Sequence, residues 1–153
     1  MELISAQSDE HLAAVRGLFL EYARWLDIDL CFQGFQQELA ELPGAYAPPD
    51  GRLLLAVSEG RAVGCVALRK LAEGICEMKR LYVQPAHRGQ GLGRRLAEAV
   101  IQQARDAGYR KVRLDSLRSL EEATGLYRSL GFAEIPPYTF NPIPDAVFME
   151  LLL

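Results

Sequence analysis

Gly89, Gly91 and Gly93 follow the apolar run Leu81–Val83 and open a stretch, Gln90–Ala107, whose apolar residues Leu92, Leu96, Ala99, Val100 and Ala104 recur at helical spacing. A strand that turns through glycines into a helix makes an anion site. The first N–H groups of a helix have no intrahelical partner, the macrodipole adds positive charge there, and glycine lets an oxyanion approach the main chain closely. Arg88 and Arg94 are expected to add charge-assisted contacts at the rim, so Arg88, Gly89, Gln90, Gly91, Leu92, Gly93 and Arg94 read as a diphosphate-binding loop. The loop is no P-loop, because Gly-Lys-Ser/Thr is missing. It is no dinucleotide fingerprint either, because counting from Gly89 puts Arg94 where the third glycine belongs.

The elements that must hold this loop follow from periodicity and breakers. A short apolar start at Glu2–Ala6 precedes a helix capped by Ser8 or Asp9, with Leu12, Val15, Phe19, Tyr22 and Leu26 on one face, expected to run to about Arg24. A weaker helix covers Phe35–Leu42 and stops at Pro43-Gly44. Three strands follow, Arg52–Ser58, Ala62–Arg69 and Gly74–Val83, with links short enough for antiparallel neighbours. After the long helix, ended by Gly108, come a strand at Lys111–Asp115 and a helix started by a capping box, Ser119-x-x-Glu122, and closed at Gly131. The last two strands are Phe132–Ile135 and Ala146–Leu152, separated by the proline-rich loop Pro136–Pro144. The expected fold is mixed α/β, with helices flanking one mostly antiparallel sheet, as a single domain over residues 1–153.

Composition narrows the function classes. Of 153 residues 20 are acidic and 17 basic, and the basic ones are scattered, which argues against nucleic-acid binding. Apolar runs such as Leu53–Val57 fall far short of the ~20 residues of a membrane span. The Met-Glu-Leu-Ile start lacks the positive region of a signal peptide, and a cytoplasmic location is expected. Cys31, Cys65 and Cys76 fit no C-x-x-C spacing and read as buried, reduced thiols. The two histidines, His11 and His87, are far apart, so no metal site is expected and both read as structural or solvated.

Three segments together carry a family resemblance. Arg88-x-x-Gly91-x-Gly93, the preceding strand Glu77-Met-Lys-Arg-Leu-Tyr-Val83, and Ala123-x-x-x-Tyr127-Arg-Ser-Leu-Gly131-Phe132 resemble the GNAT superfamily of acetyl-CoA-dependent N-acetyltransferases, in its small bacterial-type single-domain form. The resemblance implies the GNAT acyl-CoA N-acyltransferase fold and transfer of acetyl from acetyl-CoA to a primary amine by direct attack in a ternary complex. It places the main chain of Leu81, Tyr82 and Val83 along the pantetheine arm and the Arg88–Arg94 loop on the pyrophosphate. The acceptor is expected to be a small or amino-acid-like amine. The alternatives are a protein N-terminus or lysine, or a noncatalytic coenzyme A-binding module. A homodimer fits this family reading; nucleic acid and membrane do not.

The same resemblance assigns roles. Tyr127 falls where the family places a tyrosine hydroxyl near the coenzyme sulfur, and is the expected general acid; the other reading is a core aromatic beside Ala123, Leu126 and Leu130. Glu77 is a carboxylate in an apolar strand, expected as a base whose pKa burial would raise, or else as an ion-pair partner of Lys79 or Arg113. Leu120 stands where many members carry an Asn. The acceptor would enter between Tyr22–Asp29 and Pro136–Pro144, where Trp25, Asp27, Asp29, Tyr138 and Phe140 could wall a pocket and Arg80 or Arg118 could hold a substrate carboxylate. The other reading has these aromatics covering the sheet edge and the charges solvated.

Overall fold

The Ser8 hydroxyl accepts a hydrogen bond from His11 N (3.1 Å) and so starts helix α1, Asp9–Leu26. That helix runs past the expected Arg24 because Asp27, at φ 53, turns left-handed and its N–H closes on Ala23 O and Arg24 O. The computed structural model of the chain describes residues 1–30 and 34–153, so Cys31 lies outside the described residues. The other helices are α2 (Phe35–Glu41), α3 (Leu92–Asp106) and α4 (Glu121–Ser129). The strands are β1 (Glu2–Ser5), β2 (Arg52–Ser58), β3 (Arg61–Ala72), β4 (Ile75–Val83), β5 (Lys111–Leu117), β6 (Ala133–Ile135) and β7 (Ala146–Leu152). Among the described residues they form one sheet in the order β1-β2-β3-β4-β5-β7-β6, antiparallel at every junction but β4–β5.

Strand alternation divides the core between the two faces. Leu54 and Ala56 of β2 join Val66, Leu68, Leu96, Val100 and Met149 under α3 and α4, whereas Leu53 and Leu55 join Val15, Phe19, Leu39 and Tyr82 under α1 and α2. Gly108 and Gly131 end their helices as the sequence predicts, each at positive φ. At Gly131 the Schellman pattern is complete, with Phe132 N on Tyr127 O and Gly131 N on Arg128 O, both 3.0 Å. The capping box is not formed. Asp145 takes the Ser119 N–H at 2.9 Å, and α4 starts after Leu120 with no side-chain cap.

Two irregularities in β4 shape everything that follows. Cys65 pairs with Tyr82 and Ala67 with Lys79, so β4 carries one extra residue, and Arg80 adopts φ 60 at this bulge. A left-handed conformation costs a non-glycine residue about 1–2 kcal/mol. It is offset by the Arg80 side chain, bidentate on Glu38 of α2 (2.9 and 3.0 Å) and over the Phe35 ring, and by the Cys65 thiol donating to Arg80 O. The second irregularity is a fork. β4 and β5 pair only at Ile75↔Lys111, Cys76↔Val112 and Glu77↔Arg113, although β4 continues to Val83 and β5 to Leu117. The bulge bends β4 away from β5 and leaves their facing edges unpaired.

Candidate active site

The fork opens a cleft of about 120 Å³ between Met78–Leu81 of β4 and Leu114–Leu117 of β5. Tyr127 and Ala123 of α4 line it from one face of the sheet; Tyr22, Trp25 and Leu26 of α1 line it from the other. Asn141 and Ile143, in the loop of residues 136–145, close one side. That loop is held to the sheet twice: Asn141 donates to Asp115 Oδ2 (3.0 Å) and the Tyr138 hydroxyl donates to Glu77 Oε2 (2.5 Å).

Past the cleft β4 runs into the glycine loop. Gly91 is the N-cap of α3 with φ 76, and the first main-chain bond of the helix is Arg95 N to Gly91 O (3.1 Å). Among the described residues, the N–H groups of Gly89, Gln90, Gly91, Leu92, Gly93 and Arg94 find no partner. A Cβ at Gly89 or Gly91 would meet nothing within 4 Å, so the main chain there is open to a ligand. Six unsatisfied donors at the start of a 15-residue helix are what an anionic diphosphate requires. What the loop offers an anion is main chain. The Leu92 side chain is buried in the core, and Gly93 packs toward Leu126 and Val83.

Tyr127 is 8% exposed and faces the cleft. Burial, with the Tyr22 phenol and Asp115 nearby, pushes its hydroxyl above the usual tyrosine range, so it carries its proton at neutral pH. It also stacks edge-on with Phe132 at 5.8 Å. The Tyr22 phenol is pushed up to about 12, chiefly by burial. Burial likewise lifts the Cys65 and Cys76 thiols, Cys76 to about 12, and both are free and protonated.

Residues 12–132 match the profile of the acetyltransferase (GNAT) family. The chain belongs to that family. It is an N-acetyltransferase, hence an acyltransferase, by the same relationship. An uncharacterized N-acetyltransferase of Schizosaccharomyces pombe is 45% identical over 136 residues, covering 88% of this chain and 83% of its own. A Klebsiella pneumoniae crystal structure, provisionally named an acyl-CoA N-acyltransferase, superposes with a TM-score of 0.78 at 30% identity, covering 99% of this chain and 97% of its own. The PaiA N-acetyltransferase of Thermoplasma acidophilum, solved in complex with coenzyme A, shares the fold over 100% of both chains (TM-score 0.78, 19% identity).

Several side chains of this GNAT chain stand elsewhere than expected. Glu77 is 1% exposed and does not line the cleft. Its Oε1 takes Arg69 Nε (2.9 Å) and an Arg69 terminal nitrogen (2.8 Å), with Lys79 Nζ at 3.8 Å. Burial alone would lift its carboxyl, but Lys79, the Tyr138 hydroxyl and Arg69 outweigh burial and hold it below the usual carboxylate range. The expected raised pKa is thus reversed. Of the two ion-pair partners the sequence suggests, Lys79 is present at long range, while Arg113 goes to Glu150 at 2.8 Å.

The substrate candidates divide. Trp25 and Arg80 line the cleft; Asp27, Arg118 and Tyr138 do not. Asp27 is the α1 C-cap, Arg118 pairs with Glu134 at the surface, and the Tyr138 hydroxyl is spent on Glu77. Arg80 is matched by Glu38 and not free to hold a carboxylate. Phe140 is 72% exposed. In the coenzyme segment the Arg88 guanidinium bonds Val83 O (2.8 Å) and covers the Trp25 ring at 4.7 Å, and Arg94 reaches Ser129 of α4 (2.5 Å) and Glu98. Both rim arginines therefore make bonds within the protein, Arg88 through its Nε and Arg94 at the surface. The Tyr82 ring turns into the α1 core and its hydroxyl donates to Glu21 (3.3 Å). Asp115 and Asn141 have no role in the sequence reading, and Lys79 has one only as a partner of Glu77; all three line the cleft. The available signal for Lys79 and Asp115 was charge at alternate positions of otherwise apolar strands, Glu77-x-Lys79 and Arg113-x-Asp115.

Because the folded pKa of Glu77 is depressed, its contribution to stability is complete above the ordinary carboxylate range and is lost as pH falls through the lowered value. Glu77→Gln is expected to cost about 2 kcal/mol at neutral pH. In urea titrations run across pH, the gap between variant and parent should narrow below about pH 4; a gap independent of pH would refute the assigned ionisation.

Proposed function

We propose that the chain transfers the acetyl group of acetyl-CoA to the primary amine of a small molecule, by direct attack while both substrates are bound. The observation that carries this reading is the β4–β5 fork, which leads on one side to the unpartnered N–H groups of residues 89–94 and holds a protonated phenol on its wall. The fold shared with a coenzyme A complex supports it. The N–H groups from Gly89 to Arg94 would hold the diphosphate, and the free edge of β4 from Met78 to Val83 would align the pantetheine arm as an added strand. Acetyl-CoA supplies an acyl group activated as a thioester.

Of this chain's own residues, Tyr127 Oη keeps its proton until the sulfur departs and then donates it. Asp115, in the place expected of Glu77, is the cleft carboxylate that can take a proton from the acceptor ammonium. The N–C bond forms as the C–S bond breaks. Two protons leave the nitrogen: one replaces the proton that Tyr127 gives to sulfur, the other passes to solvent. Tyr22, Trp25 and Leu26 narrow the acceptor side and limit water there.

Release of free thiol from acetyl-CoA, followed over a panel of small primary amines and of peptides with free N-termini or lysines, tests this. The expected result is turnover with a small amine and acetylation at its nitrogen. Turnover on peptides alone would select a protein-directed enzyme, and binding of acetyl-CoA without turnover would select a noncatalytic module; either overturns the proposal.

A further inference from the structure

Glu77, opposite Arg113, is the last residue of β4 to pair with β5. Side chains alternate along a strand, so two residues further on, on the same α1-facing side, an unbroken ladder would set Lys79 against Asp115. The strands have parted by then, and no ion pair joins the two side chains. Among the described residues the cleft has three charged lining residues, Lys79, Arg80 and Asp115. Arg80 is satisfied by its two bonds to Glu38.

The other two are not matched in this way. Lys79 is 8% exposed, and its ion pair to Glu77 Oε1 spans 3.8 Å, beyond hydrogen-bond reach, to an oxygen that already accepts from Arg69. Among the described residues Asp115 receives only the neutral amide of Asn141, on Oδ2. A charge taken out of water is costly unless a partner replaces the water. The fork therefore presents one cation and one anion from opposite walls, each lacking a charged hydrogen-bond partner. One molecule bearing both an ammonium and a carboxylate satisfies both.

We propose that the acceptor is a zwitterionic amino acid, with its carboxylate on Lys79 and its ammonium group on Asp115. This assigns to Lys79 the role the sequence suggested for Arg80 or Arg118, and it rests on the transferase reading above. The placement is also consistent with the reaction, since Asp115 is near enough to Tyr127 to raise its phenol, and an amine held there lies beside the acid. Desolvation by burial lowers the pKa of the Lys79 ammonium, and a bound carboxylate would raise it again.

The test compares free amino acids with their carboxamides, which keep the amine and lose the negative charge. The protein is expected to use the acid with kcat/KM at least about tenfold above its amide, the worth of one charge-assisted hydrogen bond. Lys79→Met should abolish that preference by raising KM for the acid, while the Kd of coenzyme A stays as in the parent. Equal use of acid and amide by the parent would overturn the proposal without needing any variant, and so would a K79M protein that still prefers the acid. If no amine turns over, the transferase reading fails separately. Calorimetric titration of the coenzyme A complex with each acid and its amide then decides the Lys79 site: tighter binding of the acid supports it, and equal binding or none overturns it.

Discussion

Tyr127→Phe is expected to lower kcat by about 100-fold or more, the usual range for loss of a positioned general acid, with little change in coenzyme A affinity. The substitution removes one oxygen from a ring that is otherwise packed against Phe132 and keeps the apolar volume of the core. Stability should therefore hold, which separates this role from a structural one. The decisive measurement is single-turnover acetylation with saturating acetyl-CoA, where the chemical step is observed directly. An unchanged rate in that regime removes Tyr127 as the acid. A second readout is the pH profile: a phenol raised by burial stays protonated through the neutral range, so the alkaline limb of kcat should lie above neutrality in the parent and be lost in the variant.

Gly91→Val should weaken coenzyme A binding by about 100-fold or more, comparable to losing two charge-assisted hydrogen bonds. Two effects combine. At φ 76 a β-branched residue is strained and will pull the start of α3 toward ordinary helix geometry, and its methyl groups occupy the open space over the N–H groups that would hold the diphosphate. The strain alone is worth about 1–2 kcal/mol of stability, so thermal unfolding of the variant should still be cooperative. Calorimetry with coenzyme A reads the affinity. Full-strength binding by a folded Gly91→Val protein would show that the diphosphate sits elsewhere.

The elements were readable because their signals are local. Apolar spacing set α1, α3 and α4 and the strands, and Gly108 and Gly131 marked helix ends that close within a few residues of themselves. The anion loop was readable for the same reason, since its chemistry belongs to main chain left open at two nearby glycines, Gly89 and Gly91. Side-chain roles were less readable. Arg88 and Arg94 look like phosphate ligands in sequence, and only the fold brings Trp25 under the one and Ser129 to the other. Glu77 looks like a base until Arg69 and Tyr138 arrive from a neighbouring strand and a distant loop and fix its charge.

By itself, then, the sequence determined the order of elements, the family and a backbone site for an anion, all of which depend on residues close together along the chain. Tertiary structure alone decided where β4 and β5 part, which charges are cancelled and which are left facing the cleft. The fork depends on a bulge whose strained Arg80 is held by Glu38, 42 residues earlier, and on a register with β5 that no local pattern encodes. Pairing energies of buried charges depend on distance and burial, and both are properties of the folded chain.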